Sequence, residues 1–464
     1  MGEGAGRGAK SGGRVSGSPV VVAGGGLAGI SAALALADAG LRVTLLEARG
    51  RLGGATYSFQ RDGLWLDNGQ HVFLRCCTAY RAFIERIGSG DLVTLQRRLD
   101  IPVIHPERGV SRLARAALPA PLHLGPSLAA YRHLSRLDKL RMARAAAALA
   151  RLDLGDRSLD RETFGGWLRQ FGTSPRALEA LWDLIVLPTL NLTCDEASLW
   201  QSAMVFQVGL LTDGPAADLG YTTVPLGEAH GVRAAASLAA SGVEVRLNSA
   251  VAAIERPAGE DVRVRVGGER IAASALVLAV PHEPAARLVP TEVHANAESF
   301  ADLGHSPIVN LHVIYDQPVM DHAFAAGVGT PVQWVFDRSD AAGLTKGQCL
   351  AVSLSGATAY AARPTEELRA MFLPELARLF PRAAEARVTA FYVTREHRAT
   401  FRPSPGKLRL RPRATTADPR IALAGAWTDT GWPATMEGAV RSGRQAARSV
   451  LLALGRERDL PTAA

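Results

Sequence analysis

The sequence is poor in cysteine and lacks any apolar stretch long enough to cross a membrane. Its 464 residues include only four cysteines, Cys76, Cys77, Cys194 and Cys349, and none of them forms a C-x-x-C pair. We therefore expect free thiols in a reducing cytoplasm and no disulfide framework. Because no stretch approaches about 18 consecutive apolar residues, no membrane-spanning helix is predicted.

Acidic residues are outnumbered by basic ones, 44 against 52, and the formal net charge of +8 favours anionic partners such as phosphates, nucleic acid or an anionic bilayer. We expect no nucleic-acid partner and no metal site, since the sequence has neither zinc-finger spacing nor an aromatic and basic platform for single strands. Residues 1–18 are rich in Gly, Ser, Arg and Lys and lack the apolar core of a secretory signal. They are predicted to form a disordered basic tail.

The order of the predicted elements indicates an α/β protein with an inserted unit. Apolar residues make up 47% and charged residues 21%, which is the balance of an ordered globular chain. Strand and helix patterns alternate in residues 19–75, 226–291 and 409–455, so we predict that these three segments assemble one Rossmann-type domain with a parallel sheet. Residues 76–225, mainly helical in pattern, and residues 292–408 are predicted to form an α+β substrate-binding domain.

A glycine-rich turn directly follows the first predicted strand. Gly24, Gly26 and Gly29 form a G-x-G-x-x-G pattern between the apolar run Val20–Ala23 and an Ala- and Leu-rich helical stretch. Such glycines allow a tight turn, a close approach of the backbone to a diphosphate and close helix–strand packing, while the helix N-terminus attracts phosphates. Glu47 ends the second predicted strand, where a carboxylate accepts hydrogen bonds from ribose hydroxyls and disfavours a 2′-phosphate. We therefore predict a dinucleotide site.

Two cations and a second glycine pair come directly after that acid. Arg49, Arg51, Gly53 and Gly54 offer cationic and close backbone contacts that suit the long FAD molecule. This run resembles the E-x-R-x-R-x-G-G-R motif of the amine oxidase and phytoene desaturase flavoprotein superfamily. The resemblance implies a Rossmann-type fold that binds FAD through both glycine runs. Ala55 stands where the superfamily carries the last arginine of the motif, so one cationic contact is missing.

The C-terminal segment resembles the second flavin motif of the same superfamily, in which a strand, a glycine and an acid precede a helix that points its N-terminus at the flavin. Gly425 and Met436 match this motif, which implies that both lie at the cofactor. Ala426 occupies the position where the superfamily usually has a ribitol-binding Asp, so that role is carried over to Asp429. Val251 matches a valine whose backbone contacts the adenine in the superfamily.

The stretch Asp67–Tyr80 carries a more specific resemblance. Together with Val332–Arg338, it resembles the squalene-associated FAD-dependent desaturases, a branch understood as hydroxysqualene dehydroxylases of bacterial hopanoid biosynthesis. The resemblance implies that reduced FAD delivers a hydride to hydroxysqualene, which loses its hydroxyl group and becomes squalene, with NADPH as the electron source.

It also places this strand beside the flavin ring. His71 is then the candidate proton donor, Asp67 its orienting partner, and Gln70 a hydrogen-bond partner of the flavin or of the hydroxyl. The alternative is that Asp67 and His71 only satisfy buried backbone groups.

The implied substrate is a long, apolar isoprenoid that resides in membranes. Leu181–Leu187 would line an apolar tunnel or form ordinary core. Leu128–Arg151 carries six basic residues among leucines and alanines, a pattern typical either of a helix that lies on anionic lipid or of a solvated helix. We expect a cytoplasmic protein with peripheral contact at the inner face of the cell membrane.

Three other functions stay open from the sequence. A carotenoid-type desaturase would share the implied fold, flavin and class of substrate, and would differ in the direction of electron flow. A flavin amine oxidase would have an aromatic cage near the C-terminal motif, where Trp427 and Trp432 stand. A non-catalytic prenyl-binding carrier would bind no flavin, which the two glycine runs disfavour.

Overall fold

The computed structural model describes residues 17–257 and 260–459. The predicted basic tail therefore lies outside the described residues, except for Gly17 and Ser18. The strands are β1 (Val20–Ala23), β2 (Val43–Leu46), β3 (Ser58–Arg61), β4 (Leu64–Asp67), β5 (Val72–Leu74), β6 (Val93–Leu95), β7 (Asp100–His105), β8 (Gly109–Ala114), β9 (Leu219–Thr222), β10 (Glu244–Arg246), β11 (Val251–Glu255), β12 (Val262–Val266), β13 (Glu269–Ala273), β14 (Ala275–Leu278), β15 (Ser306–Tyr315), β16 (Phe324–Gly327), β17 (Trp334–Asp337), β18 (Gln348–Leu354), β19 (Val388–Thr400) and β20 (Ile421–Leu423).

The α-helices are α1 (Leu27–Asp38), α2 (Thr78–Arg86), α3 (Gly125–Ala130), α4 (Arg136–Leu149), α5 (Phe164–Arg169), α6 (Pro175–Ala177), α7 (Asp183–Leu190), α8 (Leu199–Phe206), α9 (Arg233–Ala240), α10 (His282–Leu288), α11 (Ser339–Ala342), α12 (Thr358–Ala361), α13 (Thr365–Leu379) and α14 (Met436–Ala453). Shorter 3-10 helices span Gly90–Leu92, Leu122–Leu124, Arg157–Arg161, Gly214–Ala217, Ala297–Leu303, Pro381–Ala384, Leu408–Leu410 and Glu457–Asp459. Segments of π-helix span Leu178–Trp182, Gln207–Leu211 and Gly227–Val232.

A parallel sheet of five strands forms the centre of the first domain. Its order is β10-β2-β1-β14-β20, so its strands come from the three separated segments that the sequence pattern predicts. Helices α1, α9 and α14 cover one face, and the antiparallel sheet β11-β12-β13 packs against the other. Because both faces are covered, the central strands β2, β1 and β14 are apolar except for the buried Thr44, as is usual for parallel sheets. Their carboxyl ends meet the N-terminus of α1 at one edge of the domain.

A mixed sheet of seven strands forms the second domain. Its order is β19-β15-β18-β17-β16-β7-β8, and it combines two strands of the first insertion with five of the second. Helix α13 packs on one face through Leu368 and Phe372. A helical core around Phe164 packs against Phe324 and Trp334 of the same sheet. The two insertions therefore share one hydrophobic structure.

A small antiparallel sheet, β5-β9-β6, lies where the two domains meet. Strand β5 continues the segment that contains His71, and β9 closes the first insertion. The predicted domain boundary after residue 75 therefore comes directly after β5, which pairs with β9 of the inserted domain.

The prediction of one basic helix over Leu128–Arg151 is wrong. Helices α3 and α4 are separated by a segment in which the side chains of Tyr131 and His133 are fully buried and hydrogen-bonded to backbone carbonyls of the core. Ser135 then starts α4 through a capping box with Asp138. The burial of two aromatic rings thus overrides a sequence pattern that favours a continuous helix. No helix among the described residues is both long and apolar enough to cross a bilayer.

The apolar stretch Leu181–Leu187 is mainly ordinary core. Leu181, Trp182, Leu184 and Val186 are buried in the helical core of the inserted domain, where Trp182 contacts the ring of Phe164 edge-on. The structure therefore favours the core interpretation over a tunnel lining for these four side chains.

Helix α2 is joined to the segment before α9 by the fully buried pair Tyr80 and His230. The Nδ1–H of His230 donates to the Leu226 carbonyl oxygen at 3.0 Å, so its Nε2 accepts from the Tyr80 hydroxyl at 2.7 Å. The neutral imidazole uses both ring nitrogens in this way. Burial lowers the pKa of His230 to about 3.

We expect His230 to make the fold sensitive to acid. In the unfolded chain the histidine takes up a proton near its ordinary pKa of 6.5, whereas in the folded chain it does so only near pH 3, so the free energy of unfolding falls as the pH drops below about 6.5. A His230→Gln variant keeps a donor and an acceptor but does not titrate. Between pH 7 and pH 5 its free energy of unfolding should fall by about 2 kcal/mol less than that of the wild type. Urea unfolding at the two pH values measures this difference, and equal pH dependence in both proteins would contradict the buried neutral imidazole.

Candidate functional site

The turn between β1 and α1 contains two glycines that the packing of the chain itself requires. A Cβ on Gly24, whose φ is +115°, would lie 2.3 Å from the carbonyl oxygen of Ala279. A Cβ on Gly29 would lie 1.8 Å from the carbonyl oxygen of Gly24. Gly26 differs, because a Cβ there would meet its nearest neighbour, the Cα of Gly54, at 3.7 Å. The internal packing therefore leaves space beside Gly26.

The second glycine pair lies backbone to backbone against the first run. Gly53 N donates to the Gly25 carbonyl oxygen at 2.9 Å, and Gly53 pairs with Gly26 as in a parallel sheet. Helix α1 starts at Leu27, beside this contact, and no side chain among the described residues caps it. The N–H groups of its first turn are therefore left for a ligand, and the helix dipole favours an anion there.

Glu47 closes the turn from the end of β2. It is 8% exposed, its Oε2 accepts from Gly25 N at 2.6 Å, and its Oε1 accepts from Arg49 N at 2.8 Å. Each oxygen keeps a further lone pair, so the carboxylate holds the turn and can still accept from ribose hydroxyls. Ser249 N donates to the Glu47 carbonyl oxygen at 2.8 Å, two residues before Val251, the first residue of β11.

The two arginines after Glu47 take different positions. Arg49 is exposed, whereas Arg51 turns back and donates through Nη1 to the Gly54 carbonyl oxygen at 3.1 Å. The Arg51 guanidinium lies 3.6 Å from the centroid of the Tyr57 ring. Positive charge thus stands beside the second glycine pair, where Ala55 replaces the arginine of the motif.

These features together fit the dinucleotide that the sequence predicts. The space beside Gly26 allows a diphosphate to approach the backbone, the uncapped start of α1 faces it, and Arg51 supplies positive charge nearby. Glu47 and Val251 would receive the adenosine end. The role of each of these residues toward the cofactor remains a prediction.

A buried arginine that the sequence does not signal organises the loop after β20. Arg411 is 4% exposed and donates through Nη2 to the carbonyl oxygens of Ala426, Thr428 and Trp432, at 3.3, 2.6 and 2.6 Å. Burial lowers its pKa to about 10, so the guanidinium is charged at neutral pH. Gly425 begins this loop with a φ of +138°, and the Arg411 contacts fix the path of the chain towards α14.

The remaining C-terminal candidates, Asp429 and Met436, lie against different domains. Asp429 faces the inserted domain, with its Oδ2 3.3 Å from Nη2 of Arg157, so its ribitol contact stays a prediction. Met436 is the half-buried first residue of α14.

The next residue, Glu437, is 1% exposed and accepts from two backbone N–H groups in the first turn of α2, at 3.1 and 2.6 Å. This carboxylate fixes the N-terminus of α14, and although it lies within the C-terminal motif, no role was predicted for it from the sequence.

Asp67 is hydrogen-bonded to other partners and makes no hydrogen bond to His71 among the described residues, so its orienting role toward His71 stays a prediction. Its buried carboxylate accepts from Ser58 Oγ at 2.6 Å, from Leu226 N at 2.9 Å and from Arg338 Nη2 at 2.9 Å. These three donors come from three separate parts of the chain. Asp67 therefore joins the hairpin β3-β4 to both domains.

His71 and Gln70 lie in the short segment between β4 and β5. The Nδ1 of His71 is 3.4 Å from the Gly69 carbonyl oxygen, which makes at most a weak hydrogen bond. Burial lowers the pKa of His71, while the Gly69 carbonyl and the charges of Asp67 and Glu396 act in the opposite direction. The Nε2 of Gln70 is buried and has no partner among the described residues.

A polar cluster beside this segment escaped the sequence analysis. The Tyr57 hydroxyl donates to Glu396 Oε1 at 2.7 Å, and Asn68 Nδ2 is 3.3 Å from the same oxygen. Burial and the bond to Glu396 raise the pKa of Tyr57 to about 12, so the phenol stays protonated. Tyr57 and Glu396 are 339 positions apart, and Glu396 lies in a strand without a motif, so no local signal marks the pair.

Known proteins resemble this chain along nearly all of its length. The family described as flavin containing amine oxidoreductase matches residues 27–451. The hydroxysqualene dehydroxylase of Rhodopseudomonas palustris is 31% identical over 94% of this chain and 98% of its own length. That of Sinorhizobium fredii is 28% identical over 92% and 97%. A 15-cis-phytoene desaturase of Solanum lycopersicum is 25% identical over 93% of this chain and 77% of its own length.

Solved structures share the fold. A double mutant of putrescine oxidase superimposes with a TM-score of 0.70 at 21% identity, over 94% of this chain and 99% of its own. A putative protoporphyrinogen oxidase of an Exiguobacterium species gives 0.68 at 19%, over 94% and 99%. The predicted Rossmann-type FAD-binding fold and the resemblance to the hydroxysqualene dehydroxylase branch are thereby confirmed. The chain belongs to the flavin containing amine oxidoreductase family and is an FAD-dependent oxidoreductase.

Proposed function

We propose that the enzyme reductively removes the hydroxyl group of hydroxysqualene and produces squalene. The observation that carries this proposal is the similarity to the Rhodopseudomonas palustris hydroxysqualene dehydroxylase, 31% over almost the whole of both chains, against 25% for the phytoene desaturase. The hydroxyl group leaves with a proton as water, and a hydride takes its place on carbon. Reduced FAD supplies the hydride, and we propose NADPH as the source of its electrons.

The residues of this chain have two tasks in such a reaction. A hydroxyl group leaves poorly unless a proton reaches its oxygen, and the resulting allylic cation must be kept from water. His71 is our candidate for the proton donor. It lies where the parallel-sheet domain meets the inserted domain, and burial lowers its pKa, so its imidazolium is a stronger acid than that of a histidine in water.

We expect the wild-type holoenzyme to form squalene when it is mixed anaerobically with NADPH and hydroxysqualene. A His71→Gln variant should keep its FAD, but its turnover should fall by about 10²- to 10⁴-fold. Wild-type turnover should rise as the pH falls from 8 towards the lowered pKa of His71, because the protonated fraction then grows by about tenfold per pH unit. The variant should lose this rise. Extraction and mass spectrometry of the products at several pH values measure both effects.

The exposed residue His397 provides the matched control. A His397→Gln variant should keep wild-type turnover and pH dependence. Unchanged turnover in the His71→Gln variant would remove His71 from the reaction. If the wild type forms no squalene but inserts double bonds into phytoene under oxidising conditions, the enzyme is a desaturase instead.

We further propose that the enzyme collects its apolar substrate at an anionic membrane surface in the cytoplasm. Between residues 108 and 152 the sequence has nine basic residues and a single acidic one, the buried Asp138, and two of the nine, Arg112 and Arg115, pair with the acids Asp100 and Asp218. Four leucines in the same stretch, Leu118, Leu122, Leu137 and Leu140, are 45 to 63% exposed. We call these four the leucine patch. At an anionic bilayer, exposed apolar side chains can insert among the lipids while the neighbouring cations are attracted to the headgroups.

We expect a double variant with Leu137→Ser and Leu140→Ser to bind vesicles that contain anionic phospholipid about tenfold more weakly than the wild type, because two apolar contacts are lost. Co-sedimentation with anionic and with zwitterionic vesicles measures the difference, and the zwitterionic vesicles should bind both proteins weakly. Val232 and Leu452 are 64 and 44% exposed elsewhere, so the corresponding double serine variant is the matched control. Equal vesicle binding by the leucine-patch and control variants would contradict the proposed face.

A further inference from the structure

Several buried hydrogen-bonding atoms at the junction of the domains have no partner among residues 17–257 and 260–459, and two of them belong to residues next to Gly69. They are Nε2 of Gln70, a donor, and Oδ1 of Asn310, an acceptor. Asn310 lies on β15 and is fully buried. Its Nδ2 donates to the Asn68 carbonyl oxygen at 3.0 Å, which fixes the orientation of the amide and leaves Oδ1 as the unpaired atom.

Both side chains flank Gly69. Gln70 follows it in the chain, and a Cβ on Gly69 would lie 3.3 Å from Asn310 Nδ2 and 3.8 Å from Cε1 of His71. The Asn310 amide, whose Oδ1 is the unpaired acceptor, therefore packs against Gly69, and the residue with the unpaired donor, Gln70, lies between Gly69 and the candidate proton donor His71 in the chain. Buried polar atoms are nearly always paired in folded proteins, so these two atoms suit a bound group that has both a donor and an acceptor.

A single hydroxyl group has this combination, one O–H donor and two acceptor lone pairs. A pure hydrocarbon would leave both protein atoms unpaired. We propose that Gln70 and Asn310 together bind one hydroxyl group of the substrate, with its hydrogen donated to Asn310 Oδ1 and its oxygen accepting from Gln70 Nε2. This inference rests on the proposed hydroxylated isoprenoid substrate, and it makes Asn310 a specificity-determining residue. The second lone pair of the bound oxygen is left to accept a proton from His71.

The test uses the oxidised holoenzyme without reductant, so that no turnover occurs. Hydroxysqualene and squalene are titrated in the same detergent micelles, and binding is followed by the change in flavin absorption. We expect the wild type to bind the alcohol about tenfold or more tightly than the hydrocarbon, because only the alcohol pairs the two buried atoms. Asn310→Leu should bring this ratio close to one, and Gln70→Met should lower it.

Asn191 provides a matched control, because its buried amide is fully paired, with Nδ2 donating to the Ser306 carbonyl oxygen at 2.8 Å and Oδ1 accepting from Gly356 N at 2.6 Å. An Asn191→Leu variant should keep the wild-type preference for the alcohol even if its stability falls. If Asn310→Leu does not fold, the Gln70→Met variant, altered at a less buried residue, still decides the question.

Two results would overturn the inference. One is an unchanged preference for the alcohol in both variants. The other is a shifted flavin spectrum and midpoint potential in the ligand-free variants, since the partner of the two atoms would then be the flavin ring. A wild type that prefers the alcohol but forms no squalene when reduced would support the hydroxyl site and reject the proposed reaction.

Discussion

The close contact between two glycine runs, Gly24–Gly29 and Gly53–Gly54, is the constraint on which the rest of the site depends. It sets the end of β1, the start of α1 and the path of the chain after β2 within one small region. The Gly24 and Gly29 positions have no room for a Cβ, whereas Gly26 has room that the packing of the chain does not use. Room for a further atom beside an uncapped helix N-terminus suits an anionic ligand.

From the second glycine run the chain leads directly to the segment that contains the proposed catalytic residues. It passes Tyr57 and the hairpin β3-β4 and reaches His71, while the long strands β15 and β19 bring Asn310 and Glu396 from the inserted domain. The ion pair of Asp67 with Arg338 joins the hairpin to that domain. The candidate site is therefore an interface, in which one domain presents the glycine-rich turn and the other brings Asn310 and Glu396 to the segment around His71.

The sequence predicts the local features well, because their physical causes lie within a few residues. Glycine spacing, the apolar runs of β1 and β2, and the position of Glu47 are all properties of one continuous segment. The role of Asp67 could not be predicted in this way, since its partner Arg338 is 271 positions away. The break between α3 and α4 depends on the burial of Tyr131 and His133 by distant chain, which a local pattern does not contain.

The candidate-site residues that the sequence missed have a common property. Arg411, Asn310 and Glu396 lie in strands or irregular chain without a motif, and each acquires its importance from groups brought to it by the fold. For Asn310 and Glu396 those groups come from the segment around Asn68, at the other end of the sequence. Chemistry of this kind is visible only once the two insertions pack against the parallel-sheet domain.

The most direct test of a cofactor turn at Gly26 is the FAD content of a purified Gly26→Val variant. The nearest atom to a Cβ at Gly26 is 3.7 Å away, so the variant should fold with a thermal transition close to that of the apoprotein, while the added side chain fills the space for the diphosphate. A Gly268→Val control, at a glycine with no atom within 4 Å of a Cβ, should retain FAD. We predict a folded, colourless Gly26→Val protein, and stoichiometric FAD in that variant would contradict the assignment of the turn.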